Sequence, residues 1–118
     1  MLLNLFVFIV ALQHLLIMWL EMTVPSPRAA RAFNISPDKL QQKEIKTLFV
    51  NQGLYNGFLA AGLLWSLFAP ADLARPLQAF FLGCVITAAI FGAATANKKI
   101  LWIQGGPAMA AFLVWLFS

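Results

Sequence analysis

The sequence predicts an all-α integral membrane protein, a four-helix bundle embedded in the bilayer. Three observations predict it. The 118-residue chain is 62% hydrophobic and only 10% charged, against roughly 45–50% and about 25% in soluble domains. Four apolar runs of membrane-spanning length follow one another with short connectors between them. Seven of the eight Lys and Arg residues fall in the first and third of those connectors. A soluble domain of this length cannot hide so much apolar surface, because small domains have too much surface for their volume. Lipid removes that constraint, and residues 1–118 read as one transmembrane domain.

A helix that crosses the hydrocarbon core needs about 20 mostly apolar residues. The first run predicts a helix over about 2–20. A cleaved secretory signal carries a positive residue ahead of its apolar core and small residues after it. Met1 to Leu20 has no Lys or Arg, and bulky Trp19 and Leu20 precede Glu21, so this helix is expected to stay. Pro25 and Pro27 prevent it from continuing. Ser36-Pro37-Asp38 then reads as a helix start, with a hydroxyl cap, proline at the first position and an acid near the positive dipole end. One helix is expected over 37–69, its first turns carrying Lys39, Lys43 and Lys46 out towards the lipid headgroups. The third helix is expected over 77–96, with Cys84, Ala88, Gly92 and Ala96 forming a small-residue packing stripe. The fourth is expected over 100–117. Within it Pro107 removes the donor that the carbonyl of Ile103 needs, which predicts a kink.

Membrane proteins keep Lys and Arg on the cytoplasmic side. The first connector (Arg28, Arg31, Lys39, Lys43, Lys46) and the third (Lys98, Lys99) are therefore expected inside, with only Arg75 outside and both termini outside. Short connectors and compact length suit a bacterial inner membrane. The bases form no continuous face and come with no aromatic RNA-binding motif, so nucleic acid is excluded as a partner. Cys84 is the one cysteine. It has no disulfide or metal-ligand partner at suitable spacing. No metal and no cofactor is implied.

Polar groups inside spans are expensive and need a partner or a purpose. The first helix carries His14 and Glu21, seven residues apart on one face and separated by about 10 Å along the axis. Arg28 and Arg31 are available as partners for Glu21. The second helix opens with Asn51-Gln52-Gly53-Leu54-Tyr55-Asn56-Gly57. Gly53 and Gly57 form a GxxxG face for close helix packing, while Asn51, Gln52, Tyr55 and Asn56 supply amide and phenol hydrogen bonds on another. The fourth helix adds Gln104. These positions predict a polar pocket opening to the cytoplasm, lined by His14, Glu21, Asn51, Gln52, Tyr55, Asn56 and Gln104. Gly53, Gly57, Gly92 and Pro107 are structural, and Asn4, Gln13, Thr87 and Thr95 read as interhelical hydrogen-bond or packing groups.

With its His14 and Glu21, its Asn51-Gln52-Gly53-Leu54-Tyr55-Asn56-Gly57-Phe58 run and its Gln104-Gly105-Gly106-Pro107-Ala108 run, the whole chain resembles the small four-helix membrane proteins catalogued as domain of unknown function 1304. That resemblance implies an architecture and no activity. The chain is also similar, more weakly, to the membrane-associated eicosanoid and glutathione metabolism superfamily, trimers with sites between subunits. That superfamily's second helix carries an Arg, an Asn four residues on and a Glu three further. Thr47, Asn51 and Leu54 stand at those positions here, so the similarity implies topology rather than glutathione chemistry.

Two active readings and one passive reading follow. A subunit of a small-molecule or ion transporter would use His14 and Glu21 as a proton or cation relay, with a homo-oligomer enclosing the path. A membrane-embedded enzyme would bind a small amphipathic ligand and use His14 as acid or base. A structural or partner-binding protein would use the same residues only to hold helices together.

Overall fold

The computed structural model describes residues 1–96 and 98–118. Among them every regular element is a helix: α1 (Leu2–Met22), α2 (Pro27–Phe33), α3 (Pro37–Leu40), α4 (Lys43–Phe68), α5 (Ala71–Thr95), α6 (Lys99–Ile103) and α7 (Gly105–Leu116). Among the described residues three stretches are long and apolar enough to cross a membrane: α1, α5 and Lys99–Leu116. Their outward faces are apolar, with Leu5, Phe8, Leu12 and Leu16 on α1 and Phe80, Ile90 and Phe91 on α5 all exposed. Water would penalise such faces, whereas lipid accepts them. At 26 residues α4 is long enough, but it falls outside that set. Asn51, Gln52, Tyr55 and Asn56 dilute its apolar character.

The chain forms two compact units, residues 1–13 with 59–118, and residues 14–58. In the first, Val7, Val10 and Ala11 of α1 pack with Leu63 of α4, Leu82 and Val85 of α5, and Ala108 and Ala111 of α7. Small residues set the spacing. A Cβ on Gly62 would lie 2.2 Å from the Phe81 ring, one on Gly105 3.2 Å from Ala89, and one on Gly92 3.1 Å from Ile100.

The predicted kink is a break at Gln104, between α6 and α7. Pro107 cannot donate to the carbonyl of Ile103, and Gln13 Nε2 donates to that carbonyl instead, at 2.6 Å. A side chain of α1 thus supplies the bond that proline removes. At the far end of α7, Arg75 Nη2 donates to the Trp115 carbonyl at 3.1 Å and Nη1 to Ser118 Oγ at 3.0 Å. Trp115 Nε1 donates back to the Arg75 carbonyl at 3.0 Å. Arg75 therefore helps to satisfy a carbonyl at the C-terminal end of α7, where helix carbonyls are left open.

The second unit has its own small core of Val24, Ala29, Ala30 and Leu40, flanked by Phe33, Ile35, Ile45 and Phe49. Here the structure adds a helix that the sequence reading lacks. α2 starts at Pro27 with Ser26 Oγ accepting from Ala29 N at 3.0 Å, and ends at Asn34 in the left-handed region with φ 54°. Ser26-Pro27 carries the same start signal as Ser36-Pro37, whose cap forms as expected with Lys39 N donating to Ser36 Oγ at 3.4 Å. The helix expected over 37–69 is two helices. After Leu40 the chain tightens, Gln41 N bonding to Asp38 O and Gln42 N to Lys39 O at 3.2 and 3.1 Å, before α4 begins. Leu40 is fully buried against Val24 and Ala29, and that burial overrides the local continuity of the helix. The helix expected over 77–96 also begins earlier, at Ala71, because Leu73 N and Ala74 N bond back to the Pro70 carbonyl.

Candidate functional site

The second unit gathers most of the polar residues that the sequence singles out. Glu21, near the end of α1, is fully buried. Its Oε1 accepts a hydrogen bond from Asn56 Nδ2 of α4 at 2.5 Å. Its Oε2 is also enclosed and has no hydrogen-bond partner among the described residues. Gln52 flanks the same carboxyl.

The glycines explain how α4 comes so close. A Cβ on Gly53 would stand 2.6 Å from Met22 Cγ, 3.1 Å from Glu21 Cβ and 3.1 Å from the Met18 carbonyl oxygen. One on Gly57 would stand 2.7 Å from Met18 Sδ. The GxxxG face is therefore the surface that receives α1 at Met18–Met22. Asn56 is three residues from Gly53, a spacing that makes the two neighbours on the helix. The close approach and the hydrogen bond come from one stretch of α4. Met18, which touches both glycines, carries no signal in the sequence, since GxxxG announces a partner surface without naming it.

The other expected residues divide. His14 is buried two turns before Glu21 on α1 and makes a contact of its own. Asn51 is exposed, and Tyr55 is 62% exposed with its ring 6.0 Å from that of Phe58 rather than on the carboxyl. Gln104 belongs to the first unit, half-buried at the junction of α6 and α7. Neither arginine offered as a partner meets Glu21. The Arg28 guanidinium lies 5.7 Å from the centre of the Trp19 ring, and Arg31 is exposed. Asn56 takes the place expected for an arginine.

Residues 8–116 match the family described as Protein of unknown function (DUF1304). The chain belongs to that family. A Lactococcus lactis subsp. lactis (strain IL1403) relative, Uncharacterized protein YpaA, is 37% identical over 109 residues, covering 89% of this chain and 88% of its own length. No solved structure matches. A bacterial relative agrees with the bacterial source expected from the short connectors. The DUF1304 region includes Glu21, Gly53 and Asn56. Membership brings no activity with it, so the functional reading rests on the site's chemistry.

Proposed function

We propose that this DUF1304 protein crosses the membrane four times and exchanges a proton or a small cation at Glu21, as one subunit of an oligomeric transporter. The observation that carries this is the enclosed Oε2 of Glu21, which has no partner among the described residues. A carboxyl oxygen left unpaired in a low-dielectric surrounding is costly, and the cost falls away when a proton or a cation joins it. Asn56 leaves that oxygen open because it engages Oε1 alone. His14, on the same helix two turns away, is the group through which a proton would move on.

The charge distribution supports four crossings. With α4 in the membrane, Lys98 and Lys99 share a side with the five bases of the first connector. Without it, they would lie on the opposite side from those five, against the rule that places Lys and Arg together in the cytoplasm. On this reading the first and third connectors face the cytoplasm, both termini face outward, and the site opens inward. Since four helices enclose little space, several copies would surround the path.

The test is flux in reconstituted liposomes holding a trapped pH-sensitive dye. Wild type is expected to dissipate an imposed pH gradient, Glu21→Gln to lose that flux and His14→Ala to slow it. Flux retained by Glu21→Gln would exclude this carboxyl as the carrier. Leak-level flux in wild type, with Glu21→Gln only less stable, would favour a purely structural role.

A further inference from the structure

We infer that the outer face of α2 is a binding site for the phosphodiester headgroup of an anionic phospholipid, held by Arg28 and Arg31. α2 is amphipathic on a small scale. Ala29 and Ala30 are buried in the core of the second unit, whereas Arg28 and Arg31 are exposed. Residues three apart on a helix stand side by side, with Cβ atoms about 5–6 Å apart. Their two guanidinium groups can therefore converge on one tetrahedral anion.

The backbone under them is fixed at both ends. Ser26 caps its start, and beyond Asn34 the amide of Ile35 bonds to the Ala30 carbonyl at 3.1 Å. Leu40 and Val24 fill the space beneath. Neither arginine pairs with an acid among the described residues. Arg28 instead lies at 5.7 Å from the centre of the Trp19 ring. That contact engages a ring rather than an acid, and no hydrogen bond or ion pair holds the Arg28 N–H groups among the described residues. Planar forks of this kind recognise phosphate oxygens two at a time.

Position selects the source of the phosphate. Trp19 is half-exposed one turn before the end of α1, where aromatic rings mark the membrane interface. Arg28 follows α1 by six residues. Headgroup phosphates are the anions concentrated at that level, and anionic lipids attract basic segments there. The inference rests on α1 crossing the membrane and is independent of the chemistry proposed for Glu21.

The experiment is native mass spectrometry of the full chain in mild detergent, titrated with phosphatidylglycerol or phosphatidylcholine. Wild type is expected to retain phosphatidylglycerol selectively. Arg28→Gln/Arg31→Gln should bind it about thirty-fold more weakly, from about a five-fold contribution per arginine at a surface. Lys39→Gln/Lys43→Gln removes equal charge outside α2 and should lose less. Equal losses in the two pairs would overturn a site on α2 in favour of diffuse attraction, as would equal retention of the two lipids. Displacement by millimolar inorganic phosphate would overturn the lipid as ligand and leave a free-phosphate site. Should the glutamine pair fail to fold by circular dichroism, Arg28→Lys/Arg31→Lys carries the test. It keeps the charge but not the fork, so weaker binding is expected and unchanged binding overturns the inference. Extraction of the protein by alkaline carbonate alone would instead refute the membrane reading, and the liposome flux assay reports on Glu21 separately.

Discussion

Gly53 and Gly57 share one motif but face different obstacles. A methyl group on Gly53 meets the Met18 carbonyl oxygen and the inner part of the Met22 side chain, neither of which can swing away cheaply. A methyl group on Gly57 crowds Met18 Sδ, near the end of a flexible side chain, and meets Met18 Cγ at an ordinary contact distance of 3.7 Å. Gly53→Ala is therefore expected to destabilise the protein by about 1–3 kcal/mol, the usual range for overpacking. Gly57→Ala should stay within about 0.5 kcal/mol, as substitutions without a strong structural conflict do. Thermal unfolding of the two variants in the same detergent decides this, and equal losses would contradict the geometry. Glu21 allows a similar contrast. Glu21→Gln keeps an acceptor for Asn56 Nδ2 and nearly the same shape, so it should fold normally. Glu21→Leu strands that donor, and a buried donor without a partner costs about 1–3 kcal/mol. A lower melting temperature for Glu21→Leu alone is the expected outcome.

Between elements, the break at Gln104 is held by a bond from α1, and this gives a double-mutant test. Gln13→Leu removes the donor to the Ile103 carbonyl. Pro107→Ala restores a backbone N–H that can take its place within the helix. Gln13→Leu should accordingly cost less on the Pro107→Ala background than in wild type, by about 0.6 kcal/mol, typical of a hydrogen bond between membrane helices. Equal costs on both backgrounds would mean that Gln13 holds the helix in some other way. The same pair shows how far the sequence can be read. Pro107 announces an unpaired carbonyl, and Gln13 announces a group seeking a partner. Nothing local joins them, because ninety positions separate Gln13 from Ile103. Glu21 and Asn56 were both legible as polar residues in spans, but their pairing was not. Arginines closer in sequence made the more obvious partners for the acid. The long apolar helices were legible because length and composition define them. The division of residues 37–69 was not, since it follows from burying Leu40 in a core assembled from separate segments. α2 was legible in principle, through Ser26-Pro27, but its seven residues give no apolar period to confirm the start signal.

At the scale of the whole molecule, the path of α4 decides the topology, and the residues that build the site also dilute its apolar character. Parity makes the path testable. If α4 crosses, the chain before Lys43 and the chain after Phe68 lie on opposite sides. If it does not, they lie together. Cys84 is the chain's one cysteine and lies free in α5, so Cys84→Ser supplies a background on which single cysteines report location. Lys39→Cys, Asp72→Cys and Lys98→Cys mark the segment before α4, the first turn of α5 and the segment before α6. An impermeant maleimide added to right-side-out vesicles is expected to label Asp72→Cys and spare the other two. Inverted vesicles should give the reverse pattern. Asp72→Cys labelling together with Lys39→Cys would mean that α4 stays on one side. Asn56 would then hold Glu21 at the membrane surface, where water can reach Oε2. The unpaired oxygen would lose the low-dielectric setting that makes it a carrier, and the transport reading would fall with the fourth crossing. The opposite result would place Asn56 within the membrane, so that the close approach at Gly53 brings an acid and an amide together where lipid offers neither a partner.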